Sequence, residues 1–277
     1  MPKGSDIYIV SSKDSTIEEC KNKAHILDGF NLIYRLKENR GRDVSAYLVA
    51  CADVFKNYDL VCCVHDKKSP HGIESRGGDF QYQCFECNLK SSKYVENIIN
   101  LFECNGKLGL LCPPAPAFNS YVAIHAPIRA NYGELKKVYN LLNLIIPFDE
   151  NPVAPFGSMF WIRGKAIEPL FRHEWLYSDF PEEPLPIDGT ISHAIERIYP
   201  YVAQEAGYLS GWIMPNDFAS IYIDNLCQKI PRRELDITEV KKNNLLEQIF
   251  SLKNTYDKKH KIINDFFRSH CFSKCFK

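Results

Sequence analysis

The chain has 277 residues, 45% of them hydrophobic and 25% charged, with Lys plus Arg and Asp plus Glu equal at 34 each. That is enough apolar material for one large α/β domain with an appendage, and a net charge of zero leaves no whole-molecule field to draw nucleic acid or an anionic membrane. The opening MPKGSDIYIVSS lacks the layout of a secretory leader, and no run approaches the roughly 18 apolar residues of a membrane span.

In chain order, DIYIVSS (Asp6–Ser12) reads as a buried strand running into a small polar loop, and STIEECKNKA as a helix. NLIYRLKEN follows as a second strand. RDVSAYLVACADVFKN carries Val44, Tyr47, Leu48, Cys51, Ala52 and Phe55 at helical spacing, which predicts one packed helix. DLVCCVHDKKS is a fully buried strand ending in charge, KYVENIINLFECN a helix, and LGLLCPP a strand stopped by prolines. GELKKVYNLLNL is helical, GSMFWIRG extended, and DGTISHAIERIYPYVAQEAG contains a helix. Beyond about Asn225 the chain turns charged and helix-prone, ending in FFRSHCFSKCFK, which fits a membrane-surface segment or a docking terminus. Strand and helix in alternation predict a mostly parallel, open α/β sheet flanked by helices over 1–225, and a helical tail over 226–277.

The eleven cysteines are scattered, so they read as free, non-catalytic thiols of a reducing cytosol; Cys84 and Cys87 form a lone CxxC without the second pair a structural zinc needs. Four stretches could carry chemistry. In ENRGRDVS, Arg40 and Arg42 flank Gly41 ahead of a helix, which suits a diphosphate and equally suits a tight turn capped by Asp43. In VHDKKSP, His65, Asp66, Lys67 and Lys68 leave the end of a strand together, where a carboxylate can hold a cation and lysines can neutralise phosphate; a solvated turn would look the same. In FGSMFWIRG, Met159, Trp161 and Arg163 share one strand face, a stacking platform for a sugar or a packed sheet edge. In DGTISHAIER, Asp188 reads as an N-cap. Ile191, Ala194, Ile195 and Ile198 form an apolar face, with His193, Glu196 and Arg197 opposite, either as a surface ion pair or as acid–base machinery.

NRGRD, VHDKKSP, NIINLFECNGKLGLLCP, PFGSMFWIRGKAIEPL and DFPEEPLPIDGTISHAIERI, in this order, resemble the rhamnan synthesis protein F family from about Asp6 to Tyr208. GSMFW and the DGT–HAIER pair are the more specific motifs. The resemblance implies a glycosyltransferase-like protein of GT-A type fold that builds rhamnose-containing surface polysaccharide. It implies that Asn39, Arg40, Gly41 and Asp43 lie near a donor nucleotide, with His65, Lys67, Lys68 and Arg197 also on the donor. Asp66 would stand at the metal motif, holding Mg²⁺ or Mn²⁺, although family members often carry threonine there. Trp161 and Arg163 would border the acceptor, and Asp188, Glu196 and His193 would form the catalytic edge. Family chains usually have a further strand and helix before the one matching DIYIVSS, so the resemblance also implies a fragment, a borrowed unit or an inactive protein.

The resulting expectation is a cytoplasmic glycosyltransferase, peripheral to the inner face of the membrane. It would take a nucleotide-sugar donor and a glycan or lipid-linked glycan acceptor, alongside other polysaccharide-assembly proteins. Two alternatives accompany it: a sugar-phosphate transferase, and a non-catalytic subunit or carbohydrate-binding scaffold.

Overall fold

The structure is a computed structural model that describes residues 1–66, 74–115, 127–147, 153–186, 188–224 and 227, the side chains of 74–79 and 127–130 excepted. Lys67, Lys68 and nearly all of the expected tail lie outside those residues. The chain divides into two compact units, Met1–Ala219 and Ser220–Lys277; of the second, residues 220–224 and 227 are described and are helical.

The first unit is mixed α/β. Strand β1 (Asp6–Ser11) leads through helix α1 (Asp14–Asn22) to β2 (Asn31–Leu36), and the two strands pair in parallel register from Asp6↔Asn31 to Ser11↔Leu36. This is the expected strand–helix–strand unit, but its strands are half-buried rather than buried, because among the described residues the sheet has only these two strands. The expected single helix from Arg42 to Asn57 is in three pieces. Helix α2 (Arg42–Ser45) runs into a wide π turn at Ala46–Ala50, and α3 (Ala52–Asn57) begins after a break at Cys51, whose φ of −123° is not helical.

A second sheet holds the rest together. Its strands are β3 (Leu60–Cys63), β4 (Leu108–Cys112), β5 (Phe160–Arg163) and β6 (Leu209–Trp212), in the order β3-β5-β4-β6. β5 runs antiparallel to both β3 and β4, and only β4 and β6 are parallel. Among the described residues the strands therefore lie in two sheets, the larger of them mixed, rather than in the single, mostly parallel one expected. β5, late in sequence, inserts between two earlier strands, with Cys62 opposite Trp161, and no periodicity in the sequence announces so distant a pairing. Among the described residues β3 is at the edge of this sheet, and only Cys63 of its four residues is fully buried.

The central position of β5 organises the core. Its side chains alternate: Phe160 and Ile162 enter the main cluster with Ala194, Ile195, Ile198 and Tyr199 of helix α8 (Ile191–Glu205), while Trp161 joins Val95, Ile98 and Phe102 of helix α5 (Ser92–Cys104) on the other face. Ser91 caps α5 by accepting the Tyr94 amide at 3.2 Å. Phe160 lies 4.6 Å, ring centre to ring centre, from Tyr199 and 6.0 Å from Tyr47, so β5 fixes the α2–π segment and α8 at once. Helix α4 (Glu74–Leu89) carries the CxxC pair, whose thiols are fully buried, and burial pushes Cys87 up to about 12. Helix α6 (Pro127–Leu141) packs beside α8, and the short α7 (Gly164–Ile167) follows β5 directly. Among the described residues no helix is long and apolar enough to cross a membrane.

Candidate functional site

The site grows from the start of α8. Asp188 is not its cap: the helix is capped two residues later by Thr190, whose φ and ψ of −109° and 166° are extended. His193 stands at the third helical position, where a capping box usually has a carboxylate, and its Nδ1 accepts the Thr190 backbone amide at 3.4 Å and lies 2.8 Å from Thr190 Oγ1. A ring nitrogen that accepts from a backbone N–H carries no proton, so neutral His193 holds its proton on Nε2. Burial favours that neutral ring, pushing the imidazole below its ordinary value, with Arg197 and Arg42 acting in the same direction and Glu196 and Asp188 against it.

Asp188 turns inward instead. Its Oδ1 accepts the Asn131 amide at 2.7 Å and lies 3.5 Å from the Arg197 guanidinium and 3.9 Å from His193 Nδ1. Arg197 is 6% exposed, so the surface ion pair expected on this helix is an internal one. Its guanidinium donates to the His193 carbonyl at 2.7 Å and to Glu196 Oε1 at 3.3 Å, and it sits 5.8 Å from the centre of the Phe156 ring. Glu196 in turn accepts from Ser158 Oγ at 3.3 Å through its other oxygen. Pro200, inside the helix, has no N–H to offer the Glu196 carbonyl, so the backbone ladder is interrupted behind this side chain.

Ser158 belongs to a left-handed pair ahead of β5, Gly157 at φ 87° and Ser158 at φ 52°. Two remote residues grip it: Tyr47 donates its hydroxyl to the Ser158 carbonyl at 3.0 Å, and His65 Nε2 meets the Gly157 carbonyl at 2.7 Å. His65 is thereby joined to the strand that carries GSMFW, while Asp66 beside it is exposed. Among the described residues no three metal-ligating side chains cluster.

The NRGRD loop closes the other side. Gly41 is left-handed at φ 66°, and a Cβ there would fall 2.6 Å from the Phe180 ring; Arg42 is left-handed too, at 47°. Arg42 donates to the Leu185 carbonyl at 3.3 Å and lies 3.8 Å from Glu183, and Arg40 pairs with Glu182 in backbone bridge and at 3.8 Å between side chains. Lys37 ties the loop from within, donating to the carbonyls of Glu38 and Arg40 and to Ser45 Oγ at 2.7–2.9 Å, and burial lowers its pKa. Asn39 is exposed and accepts from Ser12 Oγ at 3.4 Å. Asp43 has a carboxylate oxygen buried without a donor.

Asp43 is one of a group. Arg40, Asp43, Ser192, Arg197 and Tyr199, in the NRGRD loop and α8, each have a buried side-chain polar atom without a hydrogen-bond partner among the described residues. Buried groups left unsatisfied mark a place where a ligand or ordered water completes the bonding. Trp161 and Arg163 lie elsewhere. Trp161 is 1% exposed and donates its indole N–H to the Asn88 carbonyl at 3.2 Å; Arg163 donates to the Leu108 and Phe102 carbonyls at 3.1 and 2.7 Å. Both are bound into the sheet and α5, in line with the packed reading of their shared face.

Asn131, Tyr47, Ser158 and Lys37 were not legible as site residues. Asn131 left one usable signal, a poor helix former within ANYGELKK; the other three show their role only through partners far along the chain.

The model of the family described as rhamnan synthesis protein F matches residues 1–208, a span that contains every site residue named above. Two curated relatives from strains of Xanthomonas campestris pv. campestris, both named "Uncharacterized protein WxcX", are 31% identical over 213 residues. That match takes in 74% of this chain and 28% of each relative, so the chain spans little more than a quarter of their length. No solved structure matches. The motifs that carried the resemblance lie inside the matched span, and the chain belongs to the rhamnan synthesis protein F family.

Proposed function

We propose that this chain transfers a sugar, rhamnose by family, from a nucleotide-sugar donor to a growing surface polysaccharide. Family membership implies a role in rhamnan or related polysaccharide synthesis; transfer itself is our reading. Its acceptor would be a glycan or lipid-linked glycan, its compartment the cytoplasm, and its architecture of GT-A type. The observation that supports the reading is the convergence of separate motifs. Arg42 reaches Leu185, 143 residues away, His65 bonds to Gly157, and Ser158 bonds to Glu196, so NRGRD and GSMFW are each bonded to the stretch DFPEEPLPIDGTISHAIERI, and VHDKKSP to GSMFW.

Asp188 is the better base of the two carboxylates. Glu196 has both oxygens occupied, by Arg197 and Ser158, whereas all of Asp188's polar contacts go to Oδ1, leaving Oδ2 open among the described residues. In the step we infer, Asp188 Oδ2 takes the proton of the acceptor hydroxyl as that oxygen bonds to the anomeric carbon. The bond from that carbon to the diphosphate breaks, and its electron pair leaves with the nucleoside diphosphate. Arg42 and Arg197 oppose the charge that develops, and neutral His193 offers its Nε2–H as a donor. A cation on Asp66, and Lys67 and Lys68, remain part of the proposal without a step assigned to them.

A thermal-shift panel of nucleoside diphosphates and nucleotide sugars, run with and without Mg²⁺ or Mn²⁺, tests donor binding. Ligand at 100 times its Kd stabilises the fold by about 2.7 kcal/mol. Release of nucleoside diphosphate, measured in parallel, separates a transferase from a scaffold. No shift and no release with any donor would overturn the reading and favour the non-catalytic alternative.

A further inference from the structure

Resting on that reading of Asp188, we infer that Asn131 of α6 is a positioning residue, which decides which oxygen of Asp188 faces the acceptor. Asn131 is fully buried, at 0% exposure, in the body of a helix, where asparagine is a poor former and a buried amide must find partners. Both halves of its amide go to one turn. Nδ2 donates to Asp188 Oδ1 at 2.7 Å, and Oδ1 accepts the Gly189 backbone N–H at 3.0 Å. The orientation is internally fixed: Gly189 N can only donate, so the amide oxygen must face it and the NH₂ must face the carboxylate.

Gly189 is left-handed, at φ 81°, and stands between Asp188 and the Thr190 cap. The clamp therefore holds both the backbone of the turn and the rotation of the carboxylate. Arg197 approaches the same Oδ1 at 3.5 Å, so two donors converge on one oxygen, while the unprotonated His193 Nδ1 lies 3.9 Å from it without holding it. Arg197 is itself shared with Glu196 and the His193 carbonyl, so of the two donors to Oδ1 it is Asn131 that also holds the adjoining Gly189 backbone. A catalytic base misplaced by about 1 Å costs on the order of 10²-fold in rate.

The test uses the full chain with Asn131→Ala and Asn131→Asp. Asn131→Ala frees the turn, and kcat falls on the order of 10–10²-fold while the KM for the nucleotide sugar stays within about twofold. Asn131→Asp keeps the volume and the Gly189 contact but sets a second carboxylate against Asp188. The acid limb of its pH–rate profile then moves upward, which a purely structural substitution would not cause. Hydrogen exchange at the Gly189 amide, followed in wild type and in Asn131→Ala, supplies a readout independent of turnover, with faster exchange expected in the variant. Wild-type kcat in both variants, an unmoved pH profile in Asn131→Asp, or unchanged Gly189 exchange would each overturn the inference. A wild-type chain that releases no nucleoside diphosphate would instead sink the transferase reading, with the exchange result still deciding whether Asn131 holds the turn.

Discussion

Asp188 illustrates how much a single residue's role depends on its neighbours. As part of DGT it reads as a helix cap; in the fold the cap is Thr190, and Asp188 is an oriented carboxylate beside a buried arginine. Asp188→Asn removes the proton acceptor but keeps the shape, so turnover falls on the order of 10²–10⁴-fold while nucleotide still shifts the melting temperature. Normal turnover in that variant would show Asp188 to be structural. Gly41 makes the opposite point, since its requirement was visible in NRGRD although the reason was not. Gly41→Ala would force a left-handed alanine against Phe180 and Ser45, and should cost roughly 1–3 kcal/mol in denaturant unfolding. Gly41 was legible from its place between two arginines ahead of a helix, and Asp188 through the family resemblance rather than through its spacing. Asn131 and Ser158 were not, because a buried amide or hydroxyl acquires meaning only from partners brought to it.

At the level of elements, α8 carries most of the site, and its first turn is sensitive to pH. Its cap relies on Nδ1 of a neutral His193 accepting the Thr190 amide. Burial depresses the folded-state pKa below the ordinary 6.5, so the unfolded chain binds this proton more readily. The associated stability is complete above about pH 6.5 and declines as the pH falls through the folded value. Melting temperature should therefore drop between pH 7 and 5.5 in the wild type and drop less in His193→Gln. Equal slopes would show that His193 does not carry the effect. The grip of the α2–π segment on the loop before β5 is a second element-scale contact. Tyr47→Phe leaves the buried Ser158 carbonyl without its donor and should cost about 1–3 kcal/mol by denaturant melt. It should also lower turnover, since Ser158 leads on to Glu196 and Arg197.

For the molecule as a whole, β5 is the organising strand, with one cluster packed on each of its faces. Trp161 belongs to the face away from α8. Trp161→Phe strands the Asn88 carbonyl and should destabilise the fold by about 1–3 kcal/mol while leaving the KM for acceptor unchanged; a raised acceptor KM would return Trp161 to the binding surface. The sequence alone determined the α/β class, the strand–helix–strand opening, the alternation along FWIR and the family, because these rest on local periodicity and contiguous motifs. Only the tertiary structure decided the mixed sheet, the burial of Arg197, the two-point clamp of Asn131 and the meeting of four motifs. Each depends on chain segments far apart in sequence, and the free energy of bringing them together resides in side-chain partners that no single stretch contains.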